Sequence, residues 1–254
     1  MKSKNMSKIL MDNILYICLL LMIVIIAIIS PSFISVRVLS DVLTQSAPKM
    51  LLAVGMLVVI IAGGMDMTVG RLAGLGAVVS GTLAQQSTYY IKFWPSLPEM
   101  PLIVPIVASI IIGIISGVIT GLIISKLKVP AFLAGLGLQL IIYGGNLLFM
   151  KKAPNNSQPL AGFKESFTKF GTGSVAGVNY LIIVALVVMI AVYIILNMTT
   201  LGKNIYATGG NREAAKVAGI NVFKIDMFVY ILSGALAALA GCMLAARTGS
   251  ANAT

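Results

Sequence analysis

Residues 102–125 read LIVPIVASIIIGIISGVITGLIIS, and no charged side chain interrupts them. A spanning helix needs about 20 mainly apolar residues, because about 30 Å of hydrocarbon divides by a rise of 1.5 Å per residue. This stretch is long enough. Its Ile, Val and Leu side chains point in every direction around a helix instead of forming one stripe, as a lipid-bathed helix requires. Outward on both sides the same pattern recurs, with uncharged stretches that predict helices near 13–30, 48–64, 69–86, 130–149, 179–197 and 227–246. Seven spans result, the second of them short and ended by Gly63-Gly64.

Composition agrees with the spans. The 254 residues are 59% hydrophobic and only 10% charged, against about 25% charged in an average soluble protein. Mean hydropathy is +1.03. One compact soluble core of this size could not hide so much apolar surface. A membrane barrel would show alternating segments of about ten residues, and a soluble α/β fold would interleave strand-length runs with amphipathic helices. Neither pattern occurs. The expected fold is an all-α polytopic transmembrane helical bundle, one membrane domain over residues 1–254.

The net charge of +11 comes from cations scattered singly along the connections, without a basic stripe interleaved with aromatics. They read as topology signals and not as a phosphate-binding surface. A slight bias, with Lys2, Lys4 and Lys8 at the start, puts the N-terminus inside. Residues 1–12 are then a cytoplasmic tail, 150–178 an extracytoplasmic loop, and 199–226 the longest cytoplasmic connection. The segment Ala27-Ile28-Ile29-Ser30 lacks a small-x-small cleavage pattern, so the first helix is expected to stay attached. Cys18 and Cys242 both fall inside predicted spans and read as small apolar residues.

Much chemistry is excluded. The chain has no histidine, which removes most general-base, triad and metal schemes. No G-x-x-x-x-G-K-[ST] string is present to cradle ATP phosphates. The spans hold almost no ionisable residue of the kind an ion-coupled carrier places mid-helix. The solute path must then be driven by another protein or run downhill.

Four segments carry information. In residues 62–71, AGGMDMTVGR, paired glycines relax the backbone at a helix end, and Asp66 or Thr68 either caps the next helix or lets a carboxylate line a solute path. Gly113, Gly117 and Gly121 recur every four residues, and Gly70 and Gly74 repeat the spacing once; small residues at that interval let helices approach closely in lipid. The string LAGLG occurs at both 72–76 and 133–137, either a trace of duplication or a coincidence in a chain rich in Gly, Ala and Leu. Finally, Gly209-Gly210-Asn211 predicts a turn, Arg212 to Ala218 a short charged helix, and Gly219 its stop. Such a helix is poor at crossing a membrane. It is either an ordinary loop helix or a rod that docks into a groove on a cytoplasmic protein.

Three strings together, GGMDMTVG at 63–70, VPAFLAGLGLQLIIYG at 129–144, and GKNIYATGGNREAAKVAGINV at 202–222 followed by YILSGALAALAG at 230–241, resemble the permease subunits of bacterial ABC sugar importers of the ribose, xylose and galactose branch. Arg71 and the Pro-rich segment 95–105 are most similar to its methyl-galactoside members. The resemblance implies about ten spans, a homodimer with the solute path between copies, a cytoplasmic ABC ATPase subunit that binds ATP and Mg, and an extracytoplasmic sugar-binding protein. No cofactor is expected on this chain, and it is not expected to be an enzyme. Gly210, Arg212, Glu213, Ala214, Ala215 and Gly219 match the motif that couples to the ATPase, and Asp66 matches the acidic position of the first string. Since the family continues for about three more helices, the chain reads as C-terminally truncated. A neutral sugar suits a path lined by Gln45, Gln139, Tyr143 and Asn146, with Asp66 beside it. Phe163, Phe167 and Phe170 in the outer loop are candidate contacts for the binding protein. Related permeases for nucleosides, branched amino acids or autoinducer stay open as alternatives, as does an ion-coupled carrier. The expected location is the bacterial cytoplasmic membrane.

Overall fold

The computed structural model describes residues 11–152 and 154–252. The helices are α1 (Ile14–Ile29), α2 (Val36–Ile61), α3 (Val69–Ala84), α4 (Ile103–Ser125), α5 (Ala131–Met150), α6 (Glu165–Thr172), α7 (Tyr180–Met198), α8 (Thr200–Gly210), α9 (Arg212–Val217) and α10 (Val222–Thr248). A two-residue hairpin, β1 (Ser174–Val175) and β2 (Val178–Asn179), sits between α6 and α7. Helices α2, α4, α5, α7 and α10 are long and apolar enough to cross a membrane, while the apolar α1 and α3 are shorter at 16 residues each. The chain divides into two compact units, residues 1–43 and 44–254.

Within the smaller unit α1 leaves its apolar side chains exposed along its length, and a 3-10 turn, Pro31–Phe33, follows it. The larger unit is built around α10. Of its most apolar window 61% is buried, against 22–39% in the other four long helices. Its buried residues are mostly small: Ser233, Gly234, Ala237, Ala238, Ala240, Gly241, Ala245 and Ala246. A Cβ added at Gly113 or Gly117 of α4 would strike the α10 backbone at Gly234 or Tyr230, and one added at Gly76 of α3 would strike that of Ala238. In lipid the hydrophobic effect does not press helices together, so this backbone proximity and its dispersion contacts hold the bundle.

Helix ends near 14, 69, 103, 131 and 180 lie where the hydropathy places them. Two do not. The predicted 48–64 helix starts at Val36 because it runs straight through Pro48 and carries Arg37, Asp41 and Lys49 as exposed side chains. The predicted 227–246 helix starts at Val222, where the Asn221 side chain accepts from the Lys224 amide at 3.0 Å. In both cases charged residues lie inside the helix rather than beyond its end. Helix α8 was not foreseen, since its threonines and glycines argue for a loop. Thr199 caps it, accepting from the Gly202 amide at 3.2 Å, and Gly202 and Gly209 are there to let backbones meet.

At the Thr248 end of α10, the connections 85–102 and 151–179 form a compact cap. The Gln85 amide donates to the Ala161 carbonyl at 3.0 Å while its oxygen accepts from the Phe93 amide at 2.7 Å. Gln86 donates to the Phe163 carbonyl at 2.8 Å. Phe163 and Phe167 are buried together with Met150, Leu160, Cys242 and Ala246, with Phe170 packed against them. Phe163 and Phe167 are therefore core and not a free contact surface, and Phe170 is half-buried against them: α6 is amphipathic and turns its aromatic side onto α10.

Candidate functional site

The other end of α10 assembles the motifs. Asn211 caps α9, its side-chain oxygen accepting from the Glu213 and Ala214 amides at 3.0 Å each. Gly219, at φ +83°, ends the helix in the left-handed region, and the Ile220 amide folds back to the Ala215 carbonyl at 3.0 Å. Such a stop favours glycine. Of the six residues of α9 only Ala215 is buried; Val217 is 91% exposed. Lys216 donates to Glu213 at 2.6 Å, which holds that carboxyl below the usual glutamate range. The rod thus presents an almost complete surface to its surroundings.

What ties the rod down is Arg212. Its guanidinium forks both oxygens of Asp226 on α10, at 3.0 and 2.5 Å, and that carboxylate is only 2% exposed. The two glycine pairs also meet. Gly63 stands at φ +78° against Gly209, and a Cβ at Gly209 would strike the Ile61 backbone. Beside them Asp66 is 2% exposed with both oxygens engaged: one accepts from the Thr68 amide at 3.0 Å and hydroxyl at 2.6 Å, the other from Ser233 on α10 at 2.8 Å. Asp66 is therefore a buried tie between the α3 entry and α10. Tyr230 lies between the two carboxylates on α10, packed on Gly64, its hydroxyl without a partner among the described residues. A cleft of about 580 Å³ opens here, lined among others by Lys128, Arg212, Lys216, Asp226 and Tyr230.

The remaining sequence candidates separate. Gln139, Tyr143 and Asn146 fall on one face of α5 at helical spacing. Arg71 of α3 stacks on the Tyr143 ring, 4.1 Å from its centroid. Asn146 is buried, its side-chain amide nitrogen has no partner among the described residues, and it lines a cleft of about 270 Å³ with Leu75, Val79 and Phe149. Gln45 is exposed on α2. Gly113, Gly117 and Gly121 face α10. Gly70 and Gly74 both line a cleft of about 360 Å³; a Cβ on Gly70 would meet nothing, whereas Gly74 is buried. On the same stretch of α3, Ala73 and Gly76 meet Gly241 and Ala238 of α10 backbone to backbone. Asp226, Tyr230 and Ser233 escaped sequence reading, although 226, 230 and 233 share one helical face.

Residues 38–254 match the family described as branched-chain amino acid transport system / permease component. The chain is 37% identical over 241 residues to the galactose/methyl galactoside import permease protein MglC of Escherichia coli K12, covering 93% of this chain and 71% of that protein. To MglC of Haemophilus influenzae it is 36% identical over 253 residues, 98% and 75% of the two chains. To the ribose import permease protein RbsC of Escherichia coli K12 it is 35% identical over 248 residues, 96% and 72% of the two chains. No solved structure gives a significant match. Matched along nearly its whole length and folded as an apolar helical bundle, the chain belongs to this family of membrane permease components: it is a multi-pass transport protein.

Proposed function

We propose that this chain is the membrane-spanning subunit of an ATP-driven importer for a monosaccharide of the galactose or ribose kind. The observation that carries the reading is α9, a capped, charged rod exposed on nearly every side yet fastened to the buried Asp226 of the central helix by the half-exposed Arg212. A rod of that kind suits a motor subunit that pulls on it. In this reading ATP binding and hydrolysis in a cytoplasmic ABC ATPase move α9, and the displaced spans open the path first to one side and then to the other. Gly210, Arg212, Glu213, Ala214, Ala215 and Gly219 form the coupling element, so residues 199–226 and the N-terminus are cytoplasmic and the 150–178 cap faces outward, toward a sugar-binding protein.

Sugar as the solute is supported by the import proteins to which the chain is similar and by the polar face of α5. Gln139, Tyr143 and Asn146 offer donors, acceptors and an aromatic surface without a net charge, and Asn146 has a donor to spare. A second copy of the chain would complete the path. Gln45 on α2 is kept as a path residue on this reading, whereas Asp66 is assigned to the machinery that moves it.

The test is uptake into proteoliposomes holding the full-length protein, its ATPase subunit and its binding protein. Labelled galactose or ribose should accumulate only with ATP inside, and unlabelled sugar should compete. Competition by leucine or a nucleoside in place of sugar would transfer the assignment to another solute. Uptake that survives ATP removal and collapses with the ion gradient would replace the whole reading with a secondary carrier.

A further inference from the structure

Three polar side chains of α10, Asp226, Tyr230 and Ser233, lie one above another along a single helical face. Each meets a different element. Asp226 takes Arg212 of α9, Tyr230 packs on Gly64 in the turn after α2, and Ser233 donates to Asp66 at the entry of α3. All three are buried, at 2%, 2% and 0% exposure. The ion pair is half-buried, with Asp226 at 2% and the Arg212 side chain at 42% exposure. Such a pair contributes little net stability, because desolvation of the buried charge offsets the attraction, but it fixes geometry. The pattern of use here matches that. Among the described residues Arg212 is the single charged tether between a mostly exposed six-residue helix and the bundle, and the guanidinium fork fixes orientation as well as distance.

The neighbouring contacts say which parts must then move together. Gly76 and Gly241 bring α3 and α10 backbone to backbone, and Gly113, Gly117 and Gly234 do the same for α4 and α10. Surfaces in such contact transmit displacement and do not absorb it. Helix α5 is different. It meets the α3 entry closely at one point, Gly135 against the Met67 backbone, but Gly137, Gly144 and Gly145 further along would meet nothing with an added Cβ, and a cleft separates that part of α5 from α3.

We propose that Asp226 is the positioning residue of the power stroke: its fork on Arg212 makes α9, α10 and the α3 entry one rigid lever, with Asp66–Ser233 as its second clamp, and this lever works against α5. The inference rests on the coupling role given to α9 above and adds where the pull goes. Arg212 was already assigned to the coupling element; Asp226, Tyr230 and Ser233 were not.

The test uses the full-length protein with Cys18 and Cys242 replaced by Ala, spin-labelled at Val217 on α9 and Leu244 on α10, both exposed. Inter-label distances are read in lipid nanodiscs, with and without the ATPase subunit and nucleotide. The unmutated lever should give one narrow distance in every state. Asp226→Asn should broaden it, and transport per ATP should fall about tenfold, while the ATPase subunit still co-purifies. Arg212→Ala with Asp226→Leu removes both charges at once. Thermal stability should then return toward the starting value while coupling stays lost, an outcome that a merely structural pair would not produce. A nucleotide-dependent change of the Val217–Leu244 distance in the unmutated protein overturns the lever. So does normal transport per ATP in Asp226→Asn, loss of ATPase capture by that variant, or coupling that returns together with stability in the double variant. The distance measurement needs no sugar, so absence of ATP-driven sugar uptake by the unmutated complex would count against the proposed solute and not against the lever.

Discussion

At the Thr248 end of α10, loops are stapled to one another by Gln85 and Gln86 amides, a bridge between Leu160 and Ala251, and buried phenylalanines. At the Val222 end, some 27 residues and about 40 Å away, an exposed rod is tethered by one ion pair next to an open cleft. The first arrangement has many short-range ties across different loops. The second has fewer side-chain ties, and two of them, at Asp226 and Ser233, are on α10. Local opening requires few buried contacts, so the cleft end is where the bundle can open, and the cap is a stiff frame around the far end of α10.

That contrast can be broken in graded ways. The largest effect is expected from Glu213→Lys together with Gly219→Pro in the full-length protein. Proline holds φ near −65°, whereas residue 219 needs +83°, so the rod loses both its charge pattern and its stop. Sugar-stimulated ATPase activity should vanish while membrane insertion, followed by protease protection, is unchanged. Normal stimulation would remove the rod from the coupling role.

Phe167→Ala probes the frame. Truncating a fully buried aromatic costs about 3–5 kcal/mol, so the thermal midpoint in detergent should fall well below that of the unmodified protein. Transport per ATP in the surviving folded fraction should hold. Were coupling lost as well, the two ends would not differ in kind.

Gln85→Ala is a milder version of the same test. It strands the Ala161 carbonyl and the Phe93 amide, each buried polar group costing about 1–3 kcal/mol. Hydrogen exchange should rise in 85–102 and 160–164 and stay flat in 211–226. Exchange rising at α9 instead would show the cap to be continuous with the moving end.

The smallest effect concerns acid. The Ser87 amide, at 3.0 Å, and Lys164, at 3.4 Å, hold the Glu99 carboxyl below its ordinary value of 4.5. A carboxylate lowered on folding adds stability that is present above the unfolded value and is lost as pH falls through the folded one. The thermal midpoint should therefore decline below about pH 4.5, and Glu99→Gln should flatten part of that decline. The group is exposed, so the change will be slight.

The charged rod was largely legible in the chain: Asn211, Arg212 to Lys216 and Gly219 are a capped helix by local rules alone, and the helix is there. The solute-facing candidates were less so. Asp66 was singled out because it is a carboxylate in an apolar setting, but Ser233, which occupies one of its oxygens, lies 167 positions away. Asp226 looked like the boundary charge of a span and is instead a buried anchor within it. Phe163 and Phe167 looked like loop surface because burial across the 85–102 and 151–179 segments depends on how two connections fold together.

The amino-acid sequence by itself determined how many apolar helices there are, where most of them begin, and that one charged helix stays out of the bundle, since hydropathy, capping and turn chemistry act over a few neighbouring residues. Tertiary structure alone decided which glycines touch, which carboxylates are clamped and which end is loose. A missing Cβ only permits another backbone to come near. Which backbone does so depends on every helix in the bundle at once.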